Sequence, residues 1–346
     1  MIKLKHILLS VLLPLLLLTG CYKEEQFDNT PMGNFEACWK ILDQHYCFFS
    51  YKKAEYGLDW DDVYVRYKQK IAPAMTRDSL FNVLNAMMCE LRDGHVNLYT
   101  SFNVGRYWEW FTQYPDNFYT NLQEKYIGYD YRIAGGLRYK MLSDSIGYIF
   151  YPSFSSGVSD SNLNEVLYYF RHTKGLIFDI RNNGGGMLTN VNKIAARFTR
   201  QPFCPGYIQH KNGPGRDDFS SLYPLEQSGC PVGLLCYEKP VMILTNRRVY
   251  SAANQFVSVM SQLPNITTVG DQTGGGSGMP FSSELPIGWS IRFSASPIYN
   301  AQKEHTEFGI TPDIAVYIEE TDALLGLDTI IETAIERIKN PKQQPR

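Results

Sequence analysis

Ser251 sits where chemistry can be done. The run Arg247-Arg248-Val249-Tyr250-Ser251-Ala252-Ala253-Asn254-Gln255-Phe256 follows Val241-Met242-Ile243-Leu244-Thr245, an apolar stretch of strand formers entered through Pro240. From Ser251 to Leu263 the apolar residues Phe256, Val257, Met260 and Leu263 recur at helical spacing. A serine between a strand and a helix has backbone N–H groups pointing at it, and the helix N-terminus favours the negative charge of an oxyanion. That suits a nucleophile. The simpler role is an N-cap, in which the hydroxyl only satisfies the first turn of the helix.

Two further stretches could complete such a site. Leu91-Arg92-Asp93-Gly94-His95-Val96-Asn97-Leu98 reads as a helix end, stopped at Gly94, followed by a strand in which Val96 and Leu98 alternate. His95 is thus at a corner, where it could serve as a general base or be purely structural. Gly175-Leu176-Ile177-Phe178-Asp179-Ile180 reads as a buried strand ending in Arg181-Asn182-Asn183-Gly184-Gly185-Gly186. Three glycines there let backbone amides approach a ligand closely, as an oxyanion hole requires. The pattern is neither GxGxxG nor a phosphate loop ending in GK[ST], so nucleotide binding is not expected.

The elements around these stretches follow from periodicity. Residues 34–95 read as helical: Phe35, Cys38, Trp39 and Leu42 share one face, Trp60, Val63 and Tyr67 a second, and Leu80, Val83, Leu84, Met87 and Met88 a third, with Thr76 or Asp78 as cap. Residues 99–142 read as aromatic, strand-like pieces with a turn at Gly135-Gly136, too short for a full PDZ-type peptide-binding module. From Ile146 strands and helices alternate, with helices expected over Asp160 to Arg171 and Met187 to Thr199. Residues 200–238 read as a Pro/Gly-rich insertion that could rim the site. After Ser251 come the strand Thr267–Gly270, the loop Thr273-Gly274-Gly275-Gly276-Ser277-Gly278, two more strands, the segment from Glu304 to Ile314 and a terminal helix from Thr321.

Composition bounds the class. The 346 residues are 44% apolar and 20% charged, ordinary for a globular chain, and a net charge of −2 gives no sign of nucleic acid as a partner. Lys3 and Lys5, the apolar Ile7 to Leu18 and the ending Leu18-Thr19-Gly20-Cys21 resemble a bacterial lipoprotein signal. It implies cleavage before Cys21 and a diacylglyceryl anchor on that sulfur, in the bacterial cell envelope, with the outer membrane the first expectation. Residues 22–34 then read as a tether. Of the other six cysteines, Cys204, Cys230 and Cys236 share one irregular stretch, where a bridge from Cys204 to either of the others is expected to fit. No CxxC pair or Cys/His cluster suggests a metal, and no cofactor is expected.

Four stretches in this order carry a resemblance: LRDGH at 91–95, DIRNNGGG at 179–186, LTNRRVYSAANQF at 244–256 with VGDQTGGG at 269–276, and FGITPD at 308–313. Together they resemble the serine peptidase superfamily of C-terminal-processing (tail-specific) proteases, tricorn protease and the interphotoreceptor retinoid-binding protein repeats, over about residues 35–320. The resemblance implies an α/β chain with a crotonase/ClpP-like β/α spiral core, here 143–338, an N-terminal helical subdomain at 35–95 and a small β-rich connecting segment at 96–142. The tail-specific branch places a lysine where Gly276 stands, so its Ser–Lys dyad is absent. The tricorn-like branch implies Ser251 as nucleophile, His95 as base and Glu307 as the group that orients the imidazole, with Glu304 and His305 as competitors for that late role. It also implies an oxyanion hole from the N–H of Ala252 and of Gly185, or of its neighbours Gly184 and Gly186. Gly94 replaces a serine and Asn254 a glutamate of that pattern. The expected activity is hydrolysis of peptides or unfolded protein segments by a lipid-anchored serine peptidase; the alternatives are an esterase and a non-catalytic ligand carrier. With His95 as base, activity is expected to rise with pH through one ionisation near the ordinary imidazole value of about 6.5.

Overall fold

The computed structural model describes residues 26–142 and 145–340. The expected leader over 1–21, with its lipidated Cys21, lies outside the described residues. The tether expected over 22–34 is cut short by the helix Pro31–His45, which Thr30 starts by accepting a hydrogen bond from the Gly33 N–H, with Pro31 preset for the first turn.

Three more helices follow, Phe49–Tyr56, Trp60–Lys68 and Arg77–Cys89. Asp59 and Thr76 cap the last two. Of the three expected stripes, Phe35, Cys38, Leu42, Trp60, Val63, Tyr67, Leu80, Leu84, Met87 and Met88 are buried, while Trp39 and Val83 lie at the margin. They bury their apolar faces against Ile291 and Phe293 on the late strand β12 (Ser290–Asn300) and against Trp289 just before it. The first sheet is built around β12. The strand β1 (Asn97–Tyr99) pairs with it antiparallel, placing Asn97 opposite Arg292, and β2 (Val104–Arg106) pairs with β1. The strand β7 (Gly206–Ile208) pairs with the far end of β12, β8 (Tyr223–Pro224) with β7, and β11 (Gly278–Glu284) with β12. This pairing brings the start of the chain, with His95 just before β1, onto its end.

The second sheet runs in the order β13 (Ile314–Ala315), β10 (Ile266–Gly270), β9 (Val241–Thr245), β6 (Gly175–Asp179), β5 (Ile146–Phe150), β4 (Leu137–Met141) and β3 (Arg132–Ala134). From β5 to β13 it is parallel. Because both faces are covered, β6 and β9 are apolar up to their last residues, Asp179 and Thr245, and every residue is buried. Leu176, Phe178, Val241 and Ile243 face the layer holding the helices Asp160–Tyr169, Leu188–Ala195 and Ala252–Met260. Ile177, Met242 and Leu244 face the opposite layer, where the terminal helix Thr329–Lys339 contributes Ile330, Ile331, Ala334 and Ile338. Two helices end earlier than their periodicity suggested, at Tyr169 and Ala195, the second continuing as a 3₁₀ turn over Ala196–Phe198.

The chain thus has the expected β/α core with an N-terminal helical part. Residues 96–142 differ from a β-rich connector: their strands are divided between the two sheets, and helices occupy Glu109–Thr112 and Thr120–Ile127. The aromatic residues that read as strand formers there are drawn into contacts with the core, described below. The 200–238 insertion is clamped to the helical part by Arg216, which pairs with Asp43 at 2.7 Å and Asp61 at 2.6 Å. The bridge expected from Cys204 is not formed, since all six cysteines among the described residues are free; the Cys204 thiol faces the Gly206 carbonyl, whereas that of Cys230 faces Leu235.

Candidate active site

Ser251 is not an N-cap. Its side chain bonds none of the amides of the helix Ala252–Met260, and its backbone has φ 58° and ψ −123°. A non-glycine residue held there costs about 1–3 kcal/mol, which the surroundings must offset. They do so by binding it on both sides: the Ser251 N–H donates to the Gly275 carbonyl at 2.8 Å, and the Ser251 carbonyl accepts the Gln255 N–H. The result is a sharp turn that presents the hydroxyl. His95 Nε2 lies 3.0 Å from Ser251 Oγ, across a separation of 156 residues.

The corner that carries His95 is built differently from its sequence reading. The helix ends at Cys89, and the chain reverses at Arg92, with φ 46°, not at Gly94. Glycine is needed at 94 for space: a Cβ there would come within 2.7 Å of Trp110 Nε1 and 2.9 Å of the Tyr250 hydroxyl. Tyr250 stacks on Trp110 at 4.2 Å and its ring lies 5.0 Å from that of His95. The helix Glu109–Thr112 is thereby fixed, with Phe111 and Tyr114 under the guanidinium groups of Arg248 and Arg247.

Glu307 does not hydrogen-bond to His95. Its Oε1 pairs with Lys52 Nζ at 3.2 Å and its Oε2 accepts the Ser277 N–H at 2.9 Å. His95 Nδ1 is buried without a hydrogen-bond partner among the described residues. Lys52 Nζ also donates to the carbonyls of Leu91 and Arg92, tying the loop that carries His95 to the late segment. Of the competitors, Glu304 is exposed and accepts from Asn300, and His305 lies among Tyr51, Tyr299 and Phe48. Asn254 is fully engaged: its amide donates to Thr306, and its oxygen accepts from Thr273. It joins the glycine loop to the Glu307 segment.

Burial dominates the electrostatics. It pushes the His95 imidazole down to about 4, against the pull of Asp93. It pushes the Glu307 carboxyl up, with Asp93 adding to the effect and Lys52 opposing it. Were His95 a base, which must be neutral to act, a lowered value would extend the active range. The acidic limb of activity is therefore expected near or below pH 5, not at the ordinary imidazole value of about 6.5. A pH profile of kcat/KM on a peptide substrate checks this. Lys52→Met would leave Glu307 buried without its cation; with that carboxyl already pushed up to about 8, the cost in urea unfolding is expected to be smaller at pH 6 and to rise toward about 3–5 kcal/mol above pH 8.

The glycine loop after β6 lies against Ser251. A Cβ on Gly185 would meet the Tyr250 carbonyl at 2.7 Å, Ala252 N at 2.8 Å and Ser251 Cβ at 2.9 Å, and its φ is +99°. Its own N–H, however, is donated to Asn183 Oδ1 at 3.0 Å. Among the described residues the N–H groups of Gly184, Gly186 and Ala252 make no hydrogen bond. These amides are left unpaired, whereas the donor expected at Gly185 is already in use.

Residues 145–316 match peptidase family S41, and residues 27–89 match the tricorn protease C1 domain. A solved structure from Parabacteroides merdae ATCC 43184, described as a candidate peptidase, is 50% identical, covers 90% of this chain and 97% of that one, and superposes with a TM-score of 0.85. The chain belongs to peptidase family S41. Mature CPAF complexed with lactacystin (11% identity, 90% and 99% coverage, TM-score 0.68) and tricorn protease (17%, 90% and 37%, TM-score 0.56) share the fold.

Gly276, where the resemblance to tail-specific proteases would place a lysine, has no room for a side chain. Gly276 has φ +77°, and a Cβ there would lie 2.3 Å from the Tyr250 ring. Gly276→Lys should therefore destabilise the protein without rescuing a His95→Ala variant; recovered hydrolysis in the double variant would contradict this. The S41 motifs located Ser251, His95, Glu307 and the glycine loop. They gave no notice of Lys52, which sits in the mixed-polarity helix Phe49–Tyr56, or of Trp110. Asp93 and Tyr250 lay inside quoted motifs, but nothing in their spacing said that they meet. No group of three or more His, Cys, Asp or Glu among the described residues is placed to hold a metal.

Proposed function

We propose that this S41 member is a serine peptidase in which Ser251 is the nucleophile and His95 the base. The 3.0 Å contact between His95 Nε2 and the hydroxyl of a strained Ser251 carries this reading. Ser251 Oγ attacks the scissile carbonyl while His95 Nε2 takes its proton. The oxygen, now negative, is met by the Ala252 N–H and by an N–H of the Gly184–Gly186 loop. His95 then returns the proton to the leaving amine, and water releases the acyl group by the same steps. Glu307 supports the site through Lys52 and Ser277.

The substrates proposed are peptides or unfolded protein segments. An ester of the same acyl group should show a burst of about one product per chain, because acylation of the better leaving group outruns release; hydrolysis of esters with no turnover of any peptide would point to an esterase instead. We also propose attachment to the cell envelope through lipidated Cys21. No helix among the described residues is long and apolar enough to cross a membrane, and the support lies in the leader sequence. Cys21→Ala should move the protein from the membrane fraction to the soluble fraction; retention in the membrane would refute the anchor.

A further inference from the structure

Asp93 meets no substrate in the mechanism above, yet it joins the parts that do the chemistry. Its carboxylate is 1% exposed and accepts four hydrogen bonds from four segments. Oδ1 takes the His95 N–H at 2.7 Å and the Tyr250 hydroxyl at 3.3 Å. Oδ2 takes the Tyr46 hydroxyl at 3.0 Å and the Ser294 hydroxyl at 2.8 Å. Four acceptor sites are about what a carboxylate offers, so its orientation is fixed. All four donors are neutral, so its negative charge is held in place without being cancelled by a direct ion pair.

That charge has a use. During acylation His95 becomes an imidazolium in a buried site, where an uncompensated charge is costly. The charged groups acting on it are Lys52 from the helix Phe49–Tyr56, Arg106 from β2 and Arg292 from β12, all of which oppose protonation, and Asp93, which favours it. Glu307 is engaged by Lys52 and makes no bond to the ring. Tyr250, the neighbour of Ser251, packs on the imidazole and reaches Asp93 with its hydroxyl. One carboxylate therefore holds the base by its backbone and the nucleophile's turn by the preceding side chain.

We propose that Asp93 is the positioning residue of the catalytic pair: it fixes His95 and Tyr250 relative to one another and supplies the negative charge under which the imidazolium forms. The proposal rests on the reading of Ser251 and His95 as that pair. Asp93→Asn retains an acceptor for the His95 N–H and removes the charge. It should lower kcat at least about ten-fold with KM within about two-fold of wild type, because the charge that favours the imidazolium is lost while no bond to the ring is changed. In a Ser251→Ala background, NMR of the His95 ring should show its titration moving to lower pH on adding Asp93→Asn, and moving less on adding Glu307→Gln. Wild-type kcat, a rise in KM alone, or a titration that responds to Glu307→Gln and not to Asp93→Asn would overturn the proposal. If Asp93→Asn does not fold, Tyr250→Phe removes only the tie to the nucleophile's turn. A several-fold fall in kcat at unchanged KM then supports the proposal, and wild-type kcat overturns it. The NMR titration needs no activity, so an inactive wild-type protein would defeat the Ser251 reading while Asp93 is still judged on its coupling to His95.

Discussion

His95→Ala should lose as much peptide hydrolysis as Ser251→Ala, about five to six orders of magnitude in kcat, because members of one catalytic unit do not contribute additively. The double variant should be no worse than either single one. The reason lies in the geometry: a serine hydroxyl attacks a carbonyl only as its proton leaves, and His95 Nε2, at 3.0 Å, is the acceptor in place. Steady-state rates of the three folded variants on one peptide check the claim. A His95→Ala protein within ten-fold of wild type would return His95 to a structural role. Glu307→Gln should lose less, since its carboxylate supports Lys52 and the Ser277 N–H and does not touch the ring.

Arg181→Leu should give the largest loss of stability from a single change. The guanidinium is fully buried and pairs with Asp179 at 2.7 Å and with Asp328 at 2.9 Å. Asp179 also accepts the Tyr148 hydroxyl, and Asp328 caps the terminal helix through the amides of Ile330 and Ile331. Removing the cation leaves two buried carboxylates facing each other, which is expected to cost at least about 3–5 kcal/mol. Adding Asp328→Asn, which removes one charge and keeps a good cap, should restore part of it. Urea unfolding of the single and double variants measures both effects; a loss under about 1 kcal/mol for Arg181→Leu would show that the pairing contributes little.

Arg181 also shows where the sequence was readable and where it was not. The strand ending at Asp179 and the glycines at 184–186 were legible, because apolar runs and glycines act locally. The link from Arg181 to Asp328 was not, since it joins residues 147 apart through side chains whose types alone carry no address. The same holds at the site. Ser251 and His95 stood out by motif and by their places between elements, and the order of strands brings them together. Gly94 looks like a helix stop because glycine most often serves that purpose, whereas the space it leaves is taken by Trp110 and Tyr250. The N-cap role of Ser251 follows from helix propensity, yet the backbone there is twisted out of the capping conformation by its bond to Gly275. The imidazole value near 6.5 assumed a solvated ring, and burial of His95 at 4% exposure lowers it. Lys52 and Asp93 lie on helix and loop segments that are ordinary in composition; only the folded arrangement brings them to the loop that carries His95.

The most direct test of Ser251 and His95 as a catalytic pair is covalent labelling with a fluorophosphonate at neutral pH, with the modified residue mapped by mass spectrometry. The wild-type protein should be modified at Ser251 alone, and the folded Ser251→Ala and His95→Ala proteins should stay unmodified over the same time. A wild-type protein that is not labelled, one labelled at another serine, or a His95→Ala protein labelled at the wild-type rate would contradict the pair.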